Sequence, residues 1–256
     1  MQMITIPIIF EDKSLLIIDK PAGVTVNRAE TTKNETTIQD WTENHLNIKF
    51  KDDGRKFGDK DWKPEDDFYK RGGIVHRLDK ETSGILVIAK TPQAFVDLQK
   101  QFRDRTVKKT YTALAHGVIK PEKGEISVPV GRLPWNRNRF GIIPGGRESK
   151  TLYDVLSYYQ RSDIKDKLSL VALYPQSGRT HQIRVHLKYI YHPIFADFLY
   201  AGRKTARSDR KMLQRFFLQA TKISFLHPDT QKSITYEVPL AKELDAFLQT
   251  LEEIPH

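Results

Sequence analysis

The run GIVHRLDKETSG, residues 73–84, places seven ionisable or hydroxyl-bearing side chains in twelve positions between two apolar stretches. Asp79 stands among cations, with Arg71, His76, Arg77 and Lys80 close in sequence. Neighbouring positive charge favours an ionised carboxylate, which can act as nucleophile or base. On these residues alone, an aspartate that caps a turn or pairs with an arginine is the more ordinary explanation. Glu81 would complete a glycosidase-like pair. However, two carboxylates two residues apart in an irregular turn have no fixed separation, and no further acid lies nearby.

Other chemistry is weaker. His181 and His186 are five residues apart, which on a helix does not give one face, so they do not read as a metal pair. The chain has no cysteine, which excludes disulfides and thiolate metal sites. Ser83 and Ser177 lack the glycine-flanked elbow of a hydrolase nucleophile, and no phosphate-cradling glycine loop is present. Arg179 opens the block SGRTHQIRVHL, where a cation at a helix start opposes the macrodipole unless an anion or carboxylate answers it. A plain surface arginine is the alternative. Residues 131–150 carry Arg132, Arg137, Arg139, Arg147 and Lys150 with Trp135 and Phe140 among them. Arginines for phosphate and aromatics for base stacking give this stretch the form of a nucleic-acid loop. An ordinary solvated hairpin is the alternative.

The elements that must position these residues follow from pattern. SLLIIDKPAGV (14–24) and GILVIAK (84–90) read as buried strands, the first ended by Pro21 and Gly23. Thr91 caps a helix that Pro92 opens, with Phe95, Leu98 and Phe102 on one face. Strands are expected over 108–119, 124–132, 150–159 and 168–175. Thr180 is expected to cap a helix running to about Tyr191. A strand pair over 216–228 and 233–240 precedes a C-terminal helix over 241–253. Residues 49–71, dense in both charges and poor in aliphatics, read as an exposed, mobile excursion. Strands outnumber helices and follow one another through short turns. The expected class is α+β, a mixed, largely antiparallel sheet core flanked by helices, in a single domain over 1–256.

The net charge of +10 over 256 residues points to a polyanionic partner. No signal peptide, lipidation signal or membrane-length apolar run is read, so a cytoplasmic location and a monomer are the default expectations.

HRLDKETSGILVIAK (76–90) closely resembles the signature of the RluA-type pseudouridine synthases. Other family motifs accompany it in order: FEDKSLLIIDKPAGV (10–24), VKKTYTALAHGVI (107–119), SGRTHQIRVHLKYIYHPIFAD (177–197) and FLHPDT (225–230). The resemblance implies the pseudouridine synthase fold, an RNA substrate (ribosomal or transfer RNA), no metal and no organic cofactor. It implies isomerisation of uridine: uracil leaves ribose at its nitrogen, turns, and rejoins through carbon 5. By the same resemblance Asp79 is the catalytic aspartate, acting either on the anomeric carbon or on a proton of the neighbouring ribose carbon. Tyr111 stacks on the target base and serves proton transfer at carbon 5. Arg179 pairs with the aspartate, Ile183 packs on the base, and Arg77 enters the RNA stack as the nucleotide leaves, a step in which a planar guanidinium replaces part of the lost stacking. His76, Arg132, Arg137 and Arg139 join the expected RNA-contacting set.

Two departures stand out. The family places glycine before the aspartate at 197, whereas this chain has Ala196, for which a small local backbone adjustment is expected. The opening motif begins near residue 10, so the small N-terminal RNA-binding domain of some relatives is not expected, and RNA affinity falls to the catalytic part. Two rival functions remain: a catalytically silent RNA-binding or ribosome-assembly factor, which would need no joint retention of Asp79, Tyr111 and Arg179, and a carbohydrate- or nucleoside-cleaving hydrolase, which would need a second positioned acid.

Overall fold

The computed structural model describes residues 5–32, 35–48, 63, 66–161 and 166–255. The chain forms two compact units, Met1–Val107 with Ile223–Val238 and Lys108–Lys222 with Pro239–His256.

The first unit opens on an antiparallel hairpin, β1 (Ile8–Glu11) and β2 (Leu15–Lys20). Asp12 makes the turn, its Oδ1 accepting the N–H groups of Ser14 at 2.8 Å and Leu15 at 2.7 Å. Helix α1 (Ile38–His45) starts on a reciprocal cap between Thr37 and Asp40. A short helix α2 (Asp66–Lys70) leads to β3 (Ser83–Ala89), which is buried along its whole length and pairs antiparallel with β2. Helix α3 (Pro92–Arg103) is capped as its sequence dictates, Thr91 Oγ1 accepting the Ala94 N–H at 3.2 Å. Phe95 and Leu98 of α3 join Leu15, Ile17 and Val87 in the core. Each such side chain contributes roughly 1.5–3 kcal/mol by leaving water.

The second unit holds β4 (Lys108–His116), β5 (Lys123–Ser127), the hairpin β6 (Val130–Leu133) and β7 (Asn136–Ile142), β8 (Lys150–Gln160) and β9 (Lys167–Pro175). Helices α4 (Gln182–Tyr189) and α5 (Arg203–Asp209) follow. Strand β10 (Leu218–Leu226) gives residues to both units, and β11 (Ser233–Glu237) returns beside it. Helix α6 (Lys242–Leu248) and β12 (Glu252–Ile254) close the chain. The strand order is β1-β2-β3-β10 in the first unit and β10-β4-β9-β8-β12 in the second, with β5 also on β8. The pairings of β4 with β9, β8 with β9, β5 with β8 and β12 with β8 are all antiparallel. None of the described helices is long and apolar enough to cross a membrane.

The structure corrects several expectations. The stretch 124–132 is two strands in different sheets, because Pro129 has no N–H to continue a ladder. The basic loop expected over 131–150 is a β-hairpin over much of its length, β6 on β7. Of the excursion at 49–71, residues 49–62, 64 and 65 lie outside the described residues. Its last part is α2, which buries Asp67 and Phe68. Helix α4 is capped by His181 rather than Thr180, with His181 in the left-handed region at φ 56° and no side-chain cap bond. It ends at Tyr189. The C-terminal helix stops at Leu248, and the segment after it pairs as β12. Ala196 takes the left-handed conformation itself, φ 61°, in place of the small adjustment expected. That costs a non-glycine residue roughly 1–2 kcal/mol. Its N–H donates to Asp209 at 3.1 Å and its carbonyl accepts Arg210 Nε at 2.7 Å, which hold the turn.

Two histidines of the second unit give stability opposite pH dependences. Burial alone would lower the pKa of His116, but hydrogen bonds from its ring to Asp166 and Asp209 outweigh that and raise it from 6.5 to about 9. Its stabilising contribution is complete below pH 6.5 and is lost as pH rises through about 9. His186, fully buried, is lowered by that burial from 6.5 to about 4. Its contribution is present above pH 6.5 and is lost as pH falls through about 4. Each is worth on the order of 3 kcal/mol. Urea unfolding across pH should therefore show maximum stability near pH 6.5, and His116→Gln should flatten the alkaline limb. A wild-type alkaline limb that is already flat would remove His116 from this role.

Candidate active site

In the first unit the turn carrying Asp79 is built by close backbone approach. Gly72 and Gly73 have φ of 57° and 76°, and a Cβ on Gly73 would lie 2.2 Å from the Ala89 carbonyl oxygen. Only glycine fits there. The Gly73 carbonyl accepts the Ala89 N–H at 2.9 Å, and Ile74 bridges Ile88. His76 continues the attachment: its Nε2 accepts the Val87 N–H at 3.0 Å and its ring stacks on Phe102 at 4.7 Å. The segment is thus fastened along β3 as far as His76.

Beyond His76 the chain leaves β3. Arg77 is exposed, Leu78 is buried as an apolar anchor, and Asp79 is half-buried. The Asp79 carbonyl accepts the Thr82 N–H at 3.1 Å. The Lys80 carbonyl accepts the Gly23 N–H at 2.8 Å and Lys20 Nζ at 3.1 Å. Lys20 is fully buried at the end of β2, and its ammonium also donates to the carbonyls of Pro21 at 2.7 Å and Val24 at 2.9 Å. A buried ammonium is tolerable only with such partners. The Lys80 side chain points elsewhere, to the Glu35 carboxylate at 2.8 Å.

In the second unit Tyr111 is half-buried on β4 opposite Leu173, packed on the apolar cluster that includes Ala113, Ala115 and Ile183. Tyr111 and Ile183, singled out from motifs about seventy residues apart, therefore share one cluster. Arg179 lies just before α4. Its N–H donates to Gln182 Oε1 at 3.0 Å, and its Nε donates to the Glu148 carbonyl at 3.3 Å.

Gln182 was missed by the sequence reading. It is buried and accepts Ser177 Oγ–H at 2.7 Å while its amide donates to the Lys150 carbonyl and to Thr151 Oγ1, each at 3.0 Å. It ties the Ser177–Arg179 turn to β8. Two further polar side chains of α4, Arg184 and His186, are also engaged. Arg184 makes a two-bond pair with the fully buried Asp197, at 2.7 and 2.9 Å, between the rings of Tyr200 and Phe216. His186 meets Thr151 and Ser149 at 2.9 and 3.0 Å. The one signal available in sequence was that Gln182 and Arg184 fall on opposite sides of a short helix, among the apolar Ile183, Val185 and Leu187.

The hairpin β6–β7 separates the expected RNA-contacting arginines. Arg132 is exposed and lies over the Phe140 ring at 5.2 Å. Arg139 turns inward, donating to the Leu199 carbonyl and lying over Tyr200 at 5.6 Å. Arg137 lies on β7, and its side chain is outside the described residues. Trp135, 78% exposed, marks the hairpin tip. The hairpin is seated by Tyr200, whose hydroxyl accepts the Phe140 N–H at 3.1 Å and meets His181 Nδ1 at 2.8 Å.

Asp79, Arg77 and His76 thus belong to the first unit, and Tyr111, Arg179, Ile183, Arg132 and Arg139 to the second. A family model described as RNA pseudouridylate synthase matches residues 14–189. Ribosomal large subunit pseudouridine synthase D of Nitrosomonas europaea is 36% identical over all of this chain and 68% of its own length. An uncharacterized RNA pseudouridine synthase of Bacillus subtilis, YhcT, is 35% identical over 95% of this chain and 71% of its own. The fold matches that of human RNA pseudouridylate synthase domain containing 1, with a TM-score of 0.70 at 24% identity over 98% of this chain and 89% of that one. A family match over most of the chain, together with relatives of this identity, places the chain in the RNA pseudouridylate synthase family: it is an RNA pseudouridine synthase, an isomerase.

Proposed function

We propose that the chain converts particular uridines of structured ribosomal or transfer RNA to pseudouridine, with Asp79 as the group that opens the glycosidic bond. The observation that carries this reading is the construction of the Asp79 turn. The Gly73 contact with Ala89, the His76 bond to β3, and the two donors on the Lys80 carbonyl fix the backbone on either side of a half-buried carboxylate. A carboxylate that only capped a turn would not need its neighbours so constrained.

Two routes suit it. In one, Asp79 attacks the anomeric carbon, an ester forms as uracil leaves through nitrogen 1, and carbon 5 then displaces the carboxylate. In the other, Asp79 takes the proton of ribose carbon 2 as uracil leaves and a glycal forms; carbon 5 then adds to the anomeric carbon as Asp79 returns that proton to ribose carbon 2. Each ends with loss of the carbon 5 proton, which the Tyr111 hydroxyl accepts or relays, while Tyr111 and Ile183 offer the flipped base an apolar seat. Arg179 supplies positive charge to the reacting nucleotide. Arg77, exposed beside Asp79, fills the gap left in the RNA stack. His76 acts by positioning, since its Nε2 is bonded to the backbone of β3. Arg132 and Trp135 meet RNA at the hairpin, which Arg139 anchors.

Asp79→Asn should lower release of tritium from RNA labelled at uracil carbon 5 by about 10⁴-fold or more, with RNA affinity held within a few-fold. Turnover within tenfold of wild type would remove Asp79 from the role. Tyr111→Phe keeps the ring and should slow the same release by roughly 10²-fold if its hydroxyl moves the proton, whereas an unchanged rate would confine Tyr111 to stacking. Gly73→Ala, with no room for its methyl, should destabilise the first unit by about 3 kcal/mol or more, measured by denaturant unfolding. Wild-type stability would mean that the close approach is not required.

A further inference from the structure

Helix α5 carries Arg203, Lys204 and Arg207, and Lys211 follows two residues after it; all four side chains are exposed. Arg203 and Arg207 are four apart, so they share a face and repel, as do like charges at that spacing generally, by about 0.2–0.5 kcal/mol. Among the described residues no carboxylate or carbonyl answers any of the four. The single acid of the helix, Asp209, is 1% exposed and turned inward, where it accepts His116 Nε2 at 3.0 Å and the Ala196 N–H at 3.1 Å. Arg210 is likewise turned in, to the carbonyls of Ala196 at 2.7 Å and Gln214 at 2.5 Å. Inward docking by Asp209 and Arg210 leaves an outer face with cations and no anion.

The surroundings extend that face. The loop before α5 presents Phe198, 53% exposed. The next two residues, Leu199 and Tyr200, seat the basic hairpin through Arg139 and the Phe140 N–H. Helix α5 begins three residues later. Hairpin and helix are therefore attached to one short loop of the second unit, with an exposed aromatic on it.

We infer that the outer face of α5, with Phe198, is a second RNA contact of this enzyme, one that holds phosphates and one unpaired base through residues other than those that do the chemistry. The inference rests on the reading of the chain as an RNA-modifying enzyme. An unpaired cationic face costs stability in the free protein, and phosphates supply the missing anions. Arginine and lysine serve this contact as point charges, and the aromatic stacks on a base without regard to its identity.

The test uses purified bacterial large-subunit ribosomal RNA and the fourfold variant Arg203→Gln, Lys204→Gln, Arg207→Gln, Lys211→Gln, whose replacements are good helix formers. Kd is measured from about 50 to 200 mM salt, beside a thermal melt. The variant should melt as wild type does, bind at least about tenfold more weakly at the low-salt end, and lose about 3 from the slope of log affinity against log salt. The double variant Arg203→Lys, Arg207→Lys keeps the charge and should keep the slope. A fourfold variant with wild-type Kd and slope, or a lysine variant that loses the slope, overturns the inference. If wild-type protein binds this RNA but forms no pseudouridine in any RNA tested, the catalytic reading fails while the slope comparison still decides this one.

Discussion

The ammonium of Lys20 has left water completely, and burial of such a charge without partners costs several kcal/mol. Three backbone carbonyls meet it. Two belong to the turn that follows it in sequence, Pro21 and Val24, and the third belongs to Lys80, the residue after Asp79. One of the charge's partners is in place only when that distant turn is. The end of strand β2 and the Asp79 turn are therefore tied together through this one ammonium. This explains why a lysine, whose charge would be simpler to leave at the surface, ends a strand that is otherwise almost wholly apolar. It also explains why the Asp79 turn tolerates an exposed arginine, a half-buried carboxylate and an exposed lysine in close succession. The carbonyls of Asp79 and Lys80 carry part of the fastening whatever those side chains do.

The second unit obeys the same constraint with different groups. Gln182 uses both ends of its amide, Arg184 and Asp197 pair through two bonds between aromatic faces, and neutral His186 sits between two hydroxyls. Removing one member of such a set leaves its partner buried and unanswered, which costs more than the pair itself contributes. The loop that contains Ala196 fits this account. Its left-handed backbone would suit glycine better, yet Asp209 and Arg210 hold its N–H and carbonyl, so alanine is tolerated.

Much of this was legible in the sequence where local rules and burial agree. Strands β2 and β3 announced themselves as apolar runs, and α3 as a Thr-Pro start with a threefold and fourfold apolar repeat. Asp79, Tyr111 and Arg179 were singled out only through motif order, because residue type alone does not distinguish one aspartate from another. What stayed hidden depends on partners. Pro129 split one expected strand into two because its neighbours pair with different strands, β8 and β7. The helix at 182 begins with a left-handed histidine because Tyr200, eighteen residues beyond the helix start, holds its ring. Charge density at 66–70 read as solvated surface, yet Phe68 is in the core and Asp67 is buried beside it, while Lys70 stays exposed.

The net charge of +10 shows the difference between a count and a placement. Arg139, Arg161, Arg184, Arg210 and Arg215 all contribute to it, yet each is engaged with a carbonyl, a carboxylate or a ring of the protein itself. A phosphate cannot recruit them without breaking bonds that the fold needs. Arg77, Arg132, Arg203 and Arg207 carry the same formal charge and stand at the surface. For an enzyme that acts on RNA, the second set is the better placed to meet phosphates, because counterion release from RNA rewards a cation that is free to move onto a phosphate. The first set does a different job with the same chemistry: it fixes the hairpin, the α4 helix and the α5 docking, so that the exposed cations are presented from rigid ground.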